Sequence, residues 1–479
     1  RGLNPHDQQD RLLLGRETYL TYVRTINAAI HAIKPGLRIF HNSGHITRGD
    51  REIAGLNTHL ELESLPTGGW GYDHFPMSAR YVQGMGMEFL GMTGKFHTTW
   101  GEFGGYKHPN ALRYEVALSL ANGAKISIGD QMHPFGQLDQ ATYRLIGTAY
   151  AEVEAKEPWC DNVQSVADIG VLSIEAMSGN KPDRNCAGDI GAVRVLQEGH
   201  FLYDVIDADA DFSRYKVIIL PDEIPVEAML VEKLRAYQAH GGKLFVTGNS
   251  LLDAATGEFA LDFGVRCAGQ SALNPEYIVP RFPLDNWDSA AFVVYANANT
   301  ITCTSGTVLA DRQEPFFNRE FEHFCSHQHA PNTKEVAGPA MVATENTVYL
   351  AIPAFRLYTE KGQNVLRDII VHGIRSLLPA PTLQTNLPAQ GIQTVMRQEH
   401  EGRTIVHLLY ASPARRGQGI EVIEDLIPLR EVSVTLRVDH EPQRVYLAPQ
   451  GTELPFNVHE GILTTTVPEM VCHQMVVVE

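Results

Sequence analysis

The sequence predicts an α/β protein in three parts: the C-terminal half of a (β/α)8 barrel, a doubly wound α/β unit and a small β-sandwich. Three observations predict it. Helices and strands alternate through residues 1–160. Short, mostly apolar strands alternate with helices through 165–378. From 388 to 479 apolar and polar residues alternate with period two. The first two patterns imply parallel sheets and the third an antiparallel pair of sheets. The length, 479 residues, fits about three domains at roughly 150 residues each.

The elements of the first part follow in order. Residues 12–33 have helical apolar spacing and stop at Pro35-Gly36, a helix-ending pair. Residues 37–40 form a first strand, ending in the polar run 41–45. Residues 58–63 are a second strand, closed by Pro66-Thr67-Gly68-Gly69, and 76–83 a helix. A third strand starts at 89–92 and leads into a glycine-rich loop. Residues 110–121 are a helix and 125–128 a fourth strand. In a (β/α)8 barrel the loops after the strands build the active site, and a whole barrel takes about 250 residues. Four strands followed by loops rich in Gly, His, Trp, Asp and Glu read as half a barrel, with the first four strands outside this chain. Arg1-Gly2-Leu3-Asn4 reads likewise as the interior of something longer.

In the second part, strands at 168–172, 203–206, 215–220 and 243–247 are mostly apolar, with helices at 190–198 and 226–239. Such strands are buried on both faces, as in a doubly wound sheet. Residues 379–388 are a linker. Strands at 404–409, 432–436, 443–447 and 475–478 make the sandwich.

The chain is 44% hydrophobic and 20% charged, so it buries a core and is not disordered. The formal net charge is −17 and no basic stripe exists, which argues against nucleic acid. No apolar run reaches the roughly 18 residues of a membrane span. The six cysteines show no CxxC pattern, so a reducing cytoplasm is expected rather than a disulfide framework. No Walker-type or GxGxxG motif occurs, and no cofactor is expected.

Side chains alternate along 58–63, so His59, Glu61 and Glu63 share one face and Leu60 and Leu62 the other. Two carboxylates facing a barrel lumen are costly unless used or paired. Glu63 is nearest the rim and is the first candidate for a general acid/base; Glu61 is the second. A salt bridge to Arg38 is the alternative to a catalytic role. Trp100 beside Glu102 suits sugar chemistry, since an indole stacks on the C–H face of a pyranose and a carboxyl handles the glycosidic bond. Lys95 and His97 are candidates for hydroxyl binding, as are His41 and His45. Trp70 is a candidate platform in the loop that also holds Asp73, and Asp130, Gln131 and His133 end the last strand on the same rim. Asp130 has helix capping as its alternative role. His323, Cys325, His327 and His329 tempt a zinc reading, but no partner CxxC accompanies them, and no metal site is expected. Gly248-Asn249-Ser250 lacks the flanking glycines of a nucleophile elbow.

The run His41-Asn-Ser-Gly-His45, the run from Thr58 through Glu63 and Trp70 to Pro76, the segment Gly91-Met-Thr-Gly-Lys-Phe-His97 with Trp100-Gly101, and Ser127-Ile-Gly-Asp-Gln-Met-His-Pro134 resemble a bacterial family of glycoside hydrolases. Val205-Ile-Asp207 and Ile219-Leu-Pro-Asp222 resemble the β-galactosidase trimerisation domain. That domain is flavodoxin-like, similar to class I amidotransferases without their nucleophile. The whole layout resembles family 42 β-galactosidases and, more closely, the family 151 α-L-fucosidase-like proteins. The resemblance implies a retaining exo-glycosidase that acts on a terminal sugar as a homotrimer or other homo-oligomer. In the fucosidase-like reading, an Asp on barrel strand 4, outside this chain, is the nucleophile and Glu63 the acid/base. In the β-galactosidase reading, Glu102 is the nucleophile and the acid/base lies outside the chain. A non-catalytic carbohydrate-binding or assembly protein is the third reading.

Overall fold

The computed structural model describes residues 2–179 and 184–479. The chain opens with a long helix, α1 (Gln8–Ile33), whose N-cap Asp7 accepts from the amides of Gln9 and Asp10, followed by the short α2 (Arg51–Gly55). Three parallel strands then pair in chain order: β1 (Leu60–Glu63), β2 (Phe89–Gly94) and β3 (Lys125–Gly129). Each is followed by a helix: α3 (His74–Gln83), α4 (Pro109–Ala121) and α5 (Gln140–Lys156). Register sets Glu61 against Leu90 and Glu63 against Met92. The alternation of β1 is as the sequence implies. Leu60 and Leu62 are buried with Phe75 and Tyr81 of α3 and Leu118 of α4, a burial worth about 1.5–3 kcal/mol per leucine. The two glutamates face the other way.

Residues 37–40 correct the expectation of a fourth strand. They run beside the start of β1, but Ile39 exchanges only one backbone bond with it, accepting from the Thr58 amide at 2.8 Å. The return bond goes from the Ile39 amide to Thr58 Oγ1, 2.7 Å. A side chain thus takes the place of a ladder partner, and β1 proper begins two residues later.

The middle of the chain builds a mixed nine-stranded sheet. Its parallel part contains β5 (Ile169–Leu172), β6 (Tyr203–Ile206), β7 (Val217–Leu220), β8 (Lys243–Thr247) and β15 (Thr347–Leu350), in the order β6-β5-β7-β8-β15. All four residues of β5, β6 and β7 are buried. The helices are α6 (Ile174–Met177), α7 (Ala187–Glu198), α8 (Ala228–Ala239), α9 (Ala354–Lys361) and α10 (Asn364–Leu377). The chain leaves β5 for one neighbour and returns to the other side, so strand order reverses between β5 and β7. Such a switch point opens a crevice at the strands' C-terminal ends. Beyond β15 the sheet continues antiparallel through β14 (Asn332–Ala343), β13 (Thr307–Pro315), β10 (Glu276–Pro280) and β11 (Phe292–Val294). A separate pair joins β9 (Val265–Gln270) to β12 (Asn299–Cys303). This antiparallel half carried no clear signal in the sequence.

The C-terminal part packs two sheets around Val406, Leu408, Val434, Leu436 and Val476. One sheet holds β16 (Leu383–Thr385), β21 (Leu429–Arg437), β25 (Ile462–Met470) and β24 (Phe456–His459). The other holds β23 (Thr452–Glu453), β22 (Val445–Ala448), β26 (His473–Val478), β18 (Arg403–Leu409), β17 (Ile392–Gln398) and β4 (Gln164–Val166). A small hairpin pairs β19 (Ala414–Gly417) with β20 (Ile420–Val422). Two corrections follow: residues 379–388 are not a bare linker, because β16 pairs with β21, and the sandwich borrows β4 from the start of the middle part.

Candidate active site

The site is built from the C-terminal ends of β1, β2 and β3. At the end of β1, Glu63 Oε1 accepts from Asn42 Nδ2 at 3.0 Å. Among the described residues no cation lies within ion-pair distance of it. Gly44 makes this approach possible: its φ is +66°, and a Cβ there would stand 3.1 Å from Glu63 Oε2. Deeper along the strand, Glu61 is 7% exposed and its Oε2 has no hydrogen-bond partner. Burial, aided by the Glu63 charge, pushes its pKa up to about 7. Two neighbouring carboxyls in unlike surroundings are the usual arrangement for acid/base work. The expected alternative partner, Arg38, is engaged elsewhere, paired with Glu88.

The β2–α4 loop is held from within. Glu102 Oε1 accepts from the amides of His97 (2.6 Å) and Thr98 (2.8 Å). Burial raises its pKa, but the amides of Thr98, His97 and Thr99 outweigh it and leave the carboxyl below its ordinary value. Lys95 is buried, and Nζ donates to the carbonyls of Glu102 (3.3 Å) and Gly105 (3.2 Å) while standing 4.8 Å from the Tyr106 ring centroid. Its bonds secure the loop. Trp100, 36% exposed, lies over the end of β3, where a Cβ on Gly129 would come within 3.0 Å of its indole. Half-buried His97 precedes it in the same loop.

Beyond β3, half-buried Asp130 and exposed Gln131 and His133 line a cleft of about 340 Å³ with Lys95, Phe103 and Tyr106. The His133 ring is edge-on to Phe103 (5.8 Å) and tilted against Phe135 (4.6 Å). The helix-capping alternative for Asp130 is corrected: Asp139 caps α5, accepting from the Ala141 amide.

Trp70 is 41% exposed, its ring edge-on to His74 at 5.1 Å. Asp73 in the same loop is engaged: Oδ2 accepts from Arg194 Nε (3.0 Å) and Nη2 (2.6 Å). His41 Nε2 lies 2.8 Å from Asn27 Oδ1, and its ring is edge-on to Tyr22; burial lowers its pKa. His45 Nε2 lies 3.0 Å from Glu175 Oε1. Thus Glu61, Glu63, Trp70, His97, Trp100, Asp130, Gln131 and His133 stand on the strand ends or the loops that follow them. His41, His45, Asp73 and Lys95 spend polar atoms on holding loops. Sequence reasoning missed Asn42 and His74, although both lie within runs it had marked. It also missed Glu175, Asp189 and Arg194, for which no local signal existed.

The other motifs are structural or exposed. His323 lies beside Glu320 (3.1 Å) and His329 beside Tyr277 (3.1 Å), and no group of three or more His, Cys, Asp or Glu suited to a metal occurs among the described residues. Ser250 Oγ donates to the Leu220 carbonyl at 3.1 Å.

Comparison with known proteins gives the class first. The family described as the β-galactosidase trimerisation domain matches residues 194–257. No match is found among curated proteins. Among solved structures, the chain is similar to α-L-fucosidase isoenzyme 2 from Paenibacillus thiaminolyticus at 50% identity and a TM-score of 0.96. The match covers 100% of this chain and 73% of that one. The fold is also similar to a β-galactosidase from Bacillus circulans sp. alkalophilus (13% identity, TM-score 0.67, covering 98% and 68% of the two chains). A β-galactosidase from the haloarchaeon Halorubrum lacusprofundi is similar too (13%, 0.61, 100% and 70%). This chain is therefore a glycoside hydrolase family member, and it belongs to the family of the Paenibacillus α-L-fucosidase. No helix among the described residues is long and apolar enough to cross a membrane.

Proposed function

We propose that the protein is a retaining exo-glycosidase, α-L-fucosidase-like, with Glu63 as its acid/base. One observation carries this: Glu63 is a rim carboxyl whose hydrogen-bond partner among the described residues is the Asn42 amide, set above the buried carboxyl of Glu61. In this reading β1–β3 are part of a (β/α)8 barrel and the middle sheet is a flavodoxin-like trimerisation unit of a cytoplasmic homotrimer. Exposed Leu12, Leu13 and Leu14 on α1 and exposed Phe135 and Leu138 before α5 support a barrel wall that continues beyond the three strands.

The nucleophile is an Asp on a strand outside this chain. Its carboxylate attacks the anomeric carbon as the glycosidic C–O bond breaks, and Glu63 gives its proton to the leaving oxygen. Water then surrenders a proton to Glu63, and its oxygen displaces the Asp, restoring both carboxyls. Glu61, with a pKa near 7, is largely protonated at mildly acid pH, so it does not compete as a second anion. Trp70 and Trp100 would receive the apolar face of the sugar, and His97, Asp130, Gln131 and His133 its hydroxyls.

In the full-length protein, Glu63→Ala should lower turnover of an aryl α-L-fucopyranoside about 10²–10⁴-fold, and azide should restore part of it. Unchanged turnover overturns the assignment. The second reading, a β-galactosidase-like enzyme with Glu102 as nucleophile, draws support from the lowered pKa of Glu102, because a nucleophile must be ionised. Loss of aryl β-galactoside turnover in Glu102→Gln, with Glu63→Gln active, would favour it. Sugar binding without hydrolysis would favour a non-catalytic carbohydrate-binding protein.

A further inference from the structure

The two loops flanking Glu63 are both tied to the middle part of the chain, at the end of β5 and along α7. The loop at 41–48 presents Asn42 to Glu63 (3.0 Å). Its other end is clamped. His45 Nε2 lies 3.0 Å from Glu175 Oε1, Arg48 Nη2 lies 2.7 Å from Glu175 Oε2, and Arg48 Nε donates to Ser173 Oγ at 3.0 Å. Ser173 and Glu175 stand at the C-terminal end of β5, beside the switch point. There Asp189 of α7 accepts from Ser173 Oγ (2.7 Å) and from the amides of Ile174 (2.7 Å) and Glu175 (3.2 Å). The loop carrying Trp70 is tied to the same helix, through Arg194 on Asp73 (2.6 Å).

The clamp is dry: the side chains of Arg48, Glu175 and Asp189 are each no more than 1% exposed. Buried ion pairs are poor sources of stability, but they fix one geometry, since removing any partner strands a charge in a medium that cannot solvate it. Helix α7 is closely packed on α9. A Cβ on Gly191 would collide with the carbonyl of Phe355, so backbone lies on backbone.

We propose that Glu175 and Arg194 are positioning residues through which the middle sheet sets the active-site loops. Glu175 acts through the 41–48 loop on the Asn42–Glu63 bond, and Arg194 acts through Asp73 on the Trp70 platform. This rests on the acid/base reading of Glu63 above and adds to it residues more than 100 positions away in sequence. The two anchors have different kinetic signatures, because Glu63 works in the transition state whereas Trp70 binds substrate and transition state alike.

The test is steady-state kinetics of the full-length protein on an aryl α-L-fucopyranoside. Glu175→Gln keeps shape and removes charge. It should lower kcat on the order of 10²-fold, the cost of a small misplacement, with KM little changed and the alkaline limb of the kcat profile displaced. Asn42→Ala should lose kcat similarly, and the double variant should be no worse than the poorer single one. Multiplicative losses, or a lower melting temperature with kcat intact, overturn the Glu175 arm. Should Glu175→Gln not fold, Glu175→Asp keeps the charge with a shorter reach and must show a smaller kcat loss; wild-type kcat overturns the same arm. Arg194→Ala should raise KM about 10-fold, a loss of uniform binding, with Arg194→Lys between it and wild type. An unchanged KM overturns that arm. Glu63→Gln is the control: if it leaves turnover intact, the reading of Glu63 has failed. If it abolishes turnover while Glu175→Gln does not touch kcat, only the present inference has failed.

Discussion

Glu61 and Glu63 are two residues apart on one strand, yet their surroundings differ as much as those of groups in separate sites. Glu63 stands at the end of β1 with an amide partner; Glu61 is buried with an oxygen left unbonded. The folded pKa of Glu61, about 7, lies above the unfolded carboxyl value near 4.3. Its contribution to stability is whole below the unfolded value and lost as pH rises toward 7. Glu61→Gln, neutral at all pH, should therefore melt higher than wild type at pH 8 and close to it at pH 5; scanning calorimetry at the two pH values checks this. Gly44 tests the same neighbourhood from the other side. Gly44→Ala forces a side chain onto a φ of +66° and toward Glu63 Oε2. A loss of about 1 kcal/mol in stability and a clear fall in kcat are expected, measured by urea denaturation and by turnover. Period-two alternation revealed this pair because a strand's faces depend only on its own neighbours. His45 and Asp73 were legible as polar but not as engaged, because Glu175 and Arg194 lie 130 and 121 positions away.

Among the elements, α7 does the most to connect fold and site. It sets Asp189 3.5 Å from Arg48 and Arg194 against Asp73, so it reaches two loops of the first sheet, and it is packed on α9 with no side chain at Gly191. Gly191→Ala should destabilise by about 1–3 kcal/mol, the usual cost of overpacking, because the obstacle is backbone and cannot rotate away. The fall in denaturation midpoint should come with a drop in kcat, since both anchors move together; a stable variant with normal kcat would contradict this. Four strands of the parallel sheet were readable from their apolar runs, and β15 was not. Residues 37–40 were not readable as irregular: Thr58 turns its hydroxyl to the Ile39 amide, a choice that composition does not record. The antiparallel strands between 265 and 343 escaped because both their faces carry residues of mixed burial.

For the whole molecule, the seam between the first sheet and the sandwich holds an unusual chain of bases. Lys156 Nζ lies 3.2 Å from His473 Nδ1, and His473 Nε2 lies 3.0 Å from His407 Nδ1. Burial, aided by Lys156, drives His407 down to about 3 and His473 well below its usual value. Both histidines are neutral when folded but take a proton when unfolded below about 6.5. Their share of stability is whole above that pH and falls as pH drops, by about 1.4 kcal/mol per unit for each group. Between pH 7 and 5 the melting temperature of a His407→Asn/His473→Gln double variant should fall less than that of wild type. Light scattering at micromolar concentration should give the mass of a homotrimer, as the proposed trimerisation unit requires; a monomer would contradict it. What short stretches of chain could announce was class and layer: apolar runs, period-two faces, glycine turns and the acid pair on β1 are local facts, carried by each residue's own chemistry and spacing. Which polar groups remain free for a substrate was settled by packing between distant segments. A buried charge takes the nearest partner the fold supplies, and here that partner comes from another sheet.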